Sequence, residues 1–256
     1  MEKAGNDKFY VLKFILFSLA FIASIFALCK LWEYLGKSTG YAETASPYTN
    51  KYTVVIDPGH GGRDGGATAL SDTPEKDLNL DIALALRDYL TAAGIDVIMT
   101  RAEDIMLSDG EGGTNKIQDL RARLKIAQST ENAVFVSIHM NSFPIEKYSG
   151  LQVYYSNGSE ESLSLARAIQ DKANETLCSG SNRKVKNAGD DIYLLNELQC
   201  PAILVECGFL SNAKEAEKLN DPEYRKALAF LIAVSIADSL NQASSASTAA
   251  NPNGLT

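Results

Sequence analysis

Two histidines, His60 and His139, are the only imidazoles in this chain of 256 residues. Each closes a short apolar run. Val54 to Ile56 leads through Asp57-Pro58-Gly59 into His60, and Ala133 to Ile138 leads directly into His139. A third run, Ala202 to Val205, ends in Glu206-Cys207-Gly208. Two imidazoles and one carboxylate form a common protein ligand set for catalytic zinc, with a fourth position left for water. The metal lowers the pKa of that water toward ~7. Such chemistry also needs a carboxylate that accepts the water's proton and passes it to the leaving group. Glu75 is the candidate third ligand, because it follows the His60 loop and opens a helix; Asp72 and Asp77 compete with it on spacing alone. Glu206 is the candidate general base, and the nearby Gly208 would leave room for substrate.

Each of these residues also has a plainer reading. A histidine in a loop is more often a structural hydrogen-bonder than a ligand, but two at the ends of two strands, with no others in the chain, reverse that balance. Glu75 in a first helical turn could simply complement the helix dipole. Glu206 could form a buried ion pair, with Arg101 as its partner. Arg101 and Asn141 are also candidates for holding substrate, although Asn141 fits a turn equally well. Asp57 reads as a strand-end group that orients His60. The cluster Arg183, Lys184 and Lys186 reads as a solvated loop. Cys207 reads as a small packed residue, since no third histidine is free to activate it as a nucleophile.

The elements that must position these groups follow from pattern. Val54 to Ile56 are β-branched, which suits a buried strand, and Pro58 cannot continue a central strand. Thr73 and Pro74 predict the N-cap and first position of a helix. Leu78, Ile82, Ala85, Leu86 and Tyr89 then recur at helical spacing until Gly94. Asp96–Thr100 predicts a strand, Asp119–Gln128 a helix, Leu151–Tyr155 a strand, Ser162–Leu177 a helix and Pro222–Leu240 a closing helix. Alternation of this kind implies an α/β fold with a mainly parallel sheet and helices on both faces. If the strands are parallel, the three chemistry-bearing ends share one edge of one sheet, where open α/β folds bind their ligands.

Phe14 to Cys29 is apolar or small throughout and lies between Lys13 and Lys30. With its flanks it is long enough to cross a bilayer. Residues 1–35 therefore read as a signal anchor, with a cleaved signal peptide as the rival, because Gly40-Tyr41-Ala42 resembles a small-x-small cleavage site. Residues 36–50 read as a linker, 51–241 as a single catalytic domain and 242–256 as a disordered tail. A net charge of −8 argues against a nucleic-acid partner, for which a basic face is expected. The four cysteines show no C-x-x-C spacing. Cys29 lies in the apolar segment, and the pairing of Cys178, Cys200 and Cys207 stays open.

Four segments together resemble the zinc-dependent N-acetylmuramoyl-L-alanine amidases of the family 3 type. Val55-Ile56-Asp57-Pro58-Gly59-His60-Gly61-Gly62 is similar to that family's opening motif, and Glu75-Lys76-Asp77-Leu78-Asn79-Leu80 to the segment with its glutamate ligand. Ser137-Ile138-His139-Met140-Asn141-Ser142 is similar to its second histidine motif, and Val205-Glu206-Cys207-Gly208-Phe209-Leu210-Ser211-Asn212 to its catalytic-glutamate motif. The resemblance covers about Tyr52 to Leu240. It implies Zn2+ held by His60, Glu75 and His139, with Glu206 as catalytic residue. The implied reaction is cleavage of the amide between the lactyl group of N-acetylmuramic acid and L-alanine of the peptidoglycan stem peptide.

A narrower likeness, to the germination-specific members in spore-forming bacteria, rests on Arg87-Asp88-Tyr89-Leu90, Val97-Ile98-Met99-Thr100-Arg101 and Ser149-Gly150-Leu151-Gln152. It implies work outside the cytoplasmic membrane, in spore cortex, where muramic δ-lactam forms and germination acts. The sequence between Glu75 and His139 has no room for an occluding regulatory helix, so control would fall to an activating protein partner or to timing of expression. The alternatives are a zinc carboxypeptidase or endopeptidase on wall peptides, and a non-catalytic wall-binding module.

Overall fold

The computed structural model describes residues 52–68, 73–108 and 116–250, with scattered positions between 13 and 30. The linker at 36–50, Gly40-Tyr41-Ala42, Cys29, Asp72 and residues 251–256 lie outside the described residues. The chain divides into two units, 1–45 and 46–256. In the first, the described positions are helical, and Leu16, Phe17, Phe21, Ile25 and Leu28 are exposed.

The second unit is built on a six-stranded sheet. Its strands are β1 (Thr53–Pro58), β2 (Asp96–Met99), β3 (Ala133–Asn141), β4 (Gln152–Tyr155), β5 (Lys186–Asn187) and β6 (Ala202–Phe209). Their spatial order is β2-β1-β3-β6-β4-β5. The pairs β1–β2, β1–β3 and β3–β6 are parallel, while β4 runs antiparallel to β6. The mainly parallel sheet is therefore present, and the C-terminal ends of β1, β3 and β6 lie side by side.

One face of the sheet is covered by α1 (Glu75–Ala92), α3 (Glu160–Glu175) and α6 (Pro222–Ala250). Val54, Ile56, Val136, Ile138 and Val205 meet Ile82, Leu86, Ile169 and Ile232 there. Fully burying a side chain of this size contributes roughly 1.5–3 kcal/mol. The other face is thinner, with α2 (Lys116–Gln128) and the short α4 (Tyr193–Glu197). Val55, Phe135 and Leu204 pack there with Leu194 and Leu195. A further short helix, α5 (Ala213–Asn220), follows β6 and is capped by the Asn212 side chain.

Several expectations change. α1 begins at Glu75 with Pro74 as N-cap and no side-chain cap. Thr73 instead donates its hydroxyl to Asn220 Oδ1 at 2.9 Å, tying the helix start to α5. β3 and β6 run three and four residues beyond the predicted ends, so His139 and Glu206 sit within their last turns of pleat. The predicted disorder from Gln242 is replaced by helix as far as Ala250. The segment is rich in alanine, the best helix former, and extending an existing helix avoids the cost of nucleation. Pro222–Ser245 is long and apolar enough to cross a membrane by composition. Its Leu228, Ala229, Ile232 and Ile236 are buried in the domain, which makes it a core helix.

Candidate metal centre

The site is built around the loop that leaves β1. His60 adopts a φ of 62°, a left-handed conformation that non-glycine residues rarely take. Two buried arginines hold it there. Arg123 donates from Nη2 to His60 O at 2.6 Å and from Nη1 to Pro58 O at 2.7 Å. It also pairs with Asp57 Oδ1 and Asp119 Oδ2, each at 2.7 Å. Asp57 completes its shell with the hydroxyls of Thr100 and Ser137. Its carboxyl is held below the usual range: burial opposes this, but Arg123 and the hydroxyl donors outweigh it. Asp57 thus anchors Arg123 at the strand end and reaches the His60 loop through it, outside the ligand group.

Arg101 also departs from expectation. Its guanidinium donates to the carbonyls of Pro58, Gly59, Lys76 and Glu103, and the residue is 2% exposed. No ion pair with Glu206 occurs among the described residues; the guanidinium holds the carbonyls of the His60 loop.

In front of this scaffold three ligand-type groups converge. His60 Nε2 lies 3.2 Å from Glu75 Oε1, and His139 Nδ1 lies 2.9 Å from the same oxygen. The ligand atoms all fall within 4.8 Å of one another, an arrangement that could hold a metal ion. Glu75 is oriented by Met140 N and Asn79 Nδ2 on Oε1 and by Ala67 N on Oε2. Burial opposes ionisation of Glu75, but the two imidazoles hold its pKa far below the usual carboxylate range. His60 Nδ1 lies 2.9 Å from Asp64 Oδ2, so the ring has a carboxylate on the side away from Glu75. The contact meets ion-pair distance without hydrogen-bond alignment, so Asp64 acts on the ring as a nearby charge.

Glycine makes the convergence sterically available. A Cβ at Gly59 would lie 2.2 Å from His139 Cε1 and Nε2. One at Gly66, where φ is +67°, would lie 2.6 Å from Glu75 Oε2. Gly59→Ala should therefore push the His139 ring out of line and weaken metal affinity by about 10–100-fold, the scale of support-shell defects. Competition with a chromophoric chelator measures this, and unchanged affinity would show that His139 is not a ligand.

Glu206 pairs in register with His139 on the adjacent parallel strand, so the two side chains leave the same face. Its Oε2 is buried without a hydrogen-bond partner among the described residues. Burial pushes its pKa up to about 7, with His139 opposing and Glu75 adding to the rise. Asn141 ends β3 just past a bulge and lines an open cavity of about 290 Å³ with Tyr154, Arg183 and Phe209. Cys178, Cys200 and Cys207 are all free thiols. Cys207 is buried, and burial drives its thiol pKa far up, so it is a packing residue. Asp64 and Arg123 were not singled out by the sequence. Asp64 had a signal in its four-residue offset from His60 within the glycine loop; Arg123 had only its i, i+4 relation to Asp119.

The sheet order, the shared strand edge and the convergent His-Glu-His group define the class. The family model for N-acetylmuramoyl-L-alanine amidase matches residues 54–238, and the chain belongs to that family. Within it, the chain is 37% identical over 222 residues to the germination-specific N-acetylmuramoyl-L-alanine amidase of Bacillus subtilis, covering 85% of this chain and 90% of that protein. A solved structure of the CwlD amidase from Clostridioides difficile, in complex with the GerS lipoprotein, is 40% identical, with a TM-score of 0.68 over 73% of this chain and 98% of that one. The amidase AmiC2 of Nostoc punctiforme is 32% identical, with a TM-score of 0.66 over 75% of this chain and 98% of that one.

Proposed function

We propose that this protein hydrolyses the amide between the lactyl group of N-acetylmuramic acid and L-alanine of the stem peptide, with zinc held by His60, Glu75 and His139. The observation that carries the reading is a His-Glu-His group beside Glu206, whose Oε2 is buried with no hydrogen-bond partner among the described residues. The donor set fits zinc: two imidazole nitrogens and one carboxylate oxygen, with Glu75 braced by Met140 N and the His60 ring lying against Asp64. Zinc bound there supplies Lewis-acid polarisation of a carbonyl and acidifies water at neutral pH.

The rest falls to the chain itself. Glu206, with a pKa near working pH, takes a proton from water and delivers it to the departing amine. Its lack of any other partner leaves Oε2 free for that exchange. Asp64 acts on the His60 ring as a nearby charge, and Arg101 and Arg123 keep the loop from relaxing.

The setting is read from the relatives and the N-terminal unit. The germination-specific relative supports action in spore cortex, on the route to muramic δ-lactam. The exposed apolar helix positions near the N-terminus support membrane attachment and an extracytoplasmic location. The lipoprotein bound to the C. difficile amidase supports a protein partner for this chain as well.

Digestion of purified sacculi and cortex by the full chain, with chelator and then with added zinc, tests the reading by mass spectrometry. The expected result is zinc-dependent release of intact stem peptides. Shortened peptides would point to a carboxypeptidase or endopeptidase, and zinc-loaded protein that binds sacculi without releasing peptide would point to a binding module.

A further inference from the structure

The loop that the sequence reads as solvated has a built side. Arg183 lies over the Phe209 ring, its guanidinium carbon 4.5 Å from the centroid. Its Nε donates to Ser149 O and its Nη1 to Gln152 Oε1. Asn174 holds its backbone carbonyl at 2.8 Å. The Nη2 end has no partner among the described residues. Gln152 is itself buried and pairs in register with Glu206 on β6, so the arginine is anchored one residue pair from the proposed base. Lys186 lies beside it, 5.7 Å above the Tyr154 ring, and Tyr154 pairs in register with Lys186. These groups and Asn141 line one cavity.

No carboxylate of the described residues lies within ion-pair distance of Arg183, Lys184 or Lys186, although Asp190 and Asp191 follow in the same loop. Two cations without an ion-pair partner among the described residues, Arg183 and Lys186, therefore line one cavity on a chain of net charge −8. With Nε and one Nη1 hydrogen engaged, an arginine held over an aromatic ring keeps Nη2 and its second Nη1 hydrogen to meet a carboxylate. Tyr154 lies between the two regions: burial raises its pKa most, Glu206 adds to the rise and Arg183 opposes it.

We propose that Arg183 and Lys186, braced by Phe209 and Tyr154, form a carboxylate-binding subsite that holds an acidic residue of the peptide leaving group beside the Glu206 end of β6. This rests on the amidase reading above. The chemistry of the scissile amide decides which side of the substrate it serves. The muramyl side carries hydroxyls and neutral amides, whereas the amine that leaves belongs to a peptide with free carboxylates. A cationic pocket near the proposed base therefore faces the peptide half.

The test uses the full chain and two alanyl-γ-glutamyl peptides, one with a free α-carboxylate and one with that group amidated. Titration calorimetry reads binding without turnover. The free acid should bind about tenfold more tightly than the amide, in line with a charge-assisted, bidentate contact. The double variant Arg183→Gln/Lys186→Gln should bring the ratio to within about twofold, and Arg183→Lys should lie between, since it keeps charge but loses the fork and the stacking. Equal binding of the two peptides by the native chain, or binding of neither, overturns the subsite. Digestion of sacculi is run in parallel. A preference for the acid without cleavage would leave the subsite standing and remove the amidase reading; cleavage without the preference would do the reverse.

Discussion

Glu206→Gln is expected to lower the hydrolysis rate by about 10²–10⁴-fold, the range for loss of a positioned proton-transfer group. Glutamine keeps the size of the side chain but cannot take a proton, so metal affinity should stay near that of the native protein. The same substitution should stabilise the metal-free protein at neutral and alkaline pH. A carboxyl whose pKa rises from 4.5 to about 7 on folding disfavours the folded state once it ionises. The penalty is absent below the unfolded value, grows as pH rises through about 7, and is then constant at about 3 kcal/mol. Melting curves of metal-free native and variant protein at pH 4 and pH 8 would show it: near coincidence at the first and a more stable variant at the second. Variant protein that still hydrolyses at the native rate would remove Glu206 from the mechanism.

Arg123→Ala should destabilise the protein by about 3–5 kcal/mol, because it strands two carboxylates that were buried as partners. Asp57 and Asp119 are 1% and 5% exposed, and neither has room to reach water. For a domain of this size that corresponds to a fall in Tm of roughly 10 °C or more. Arg123→Lys should recover only part of the loss, since one ammonium cannot serve two carboxylates and the carbonyls of Pro58 and His60 together. The pair also sets an acid limit. Asp57 is held below its ordinary pKa, so its contribution is present above pH ~4 and is lost as pH falls further. Urea titrations of native and variant protein at neutral pH measure the difference; a loss below about 1 kcal/mol would show that water reaches the carboxylates once the arginine is gone.

What could be read from the sequence follows what repeats along it. His60, His139 and Glu206 were recognisable as neighbours because each ends an apolar run, and parallel strands bring such ends to one edge. Glu75 was one of three carboxylates by spacing, and only the resemblance singled it out. The structure brings Glu75 to both imidazoles, places Asp77 in the first turn of α1 and leaves Asp72 undescribed. Arg101 and Arg123 carried no signal of burial, since a charged residue on a helix or after a strand looks the same whether it faces water or four backbone carbonyls. The loop of Arg183 looked solvated because the Phe209 ring that supports the arginine lies in a different strand. The C-terminal helix outran its apolar pattern because alanine and serine continue a helix without adding periodicity.

The order of strands in space sets an order of events in time. β6 is the last of the described strands in chain order, yet it fills the gap between β3 and β4 and carries Glu206. Until it inserts, β3 and β4 have no common partner and the carboxylate beside His139 is missing. The chain makes β6 after the other five described strands, so its pairings with β3 and β4 are the last that synthesis permits. A growing chain, or one cut short before Ala202, therefore holds both histidines and Glu75 without the carboxylate that pairs in register with His139, and that part of the site arrives only with the completed sheet.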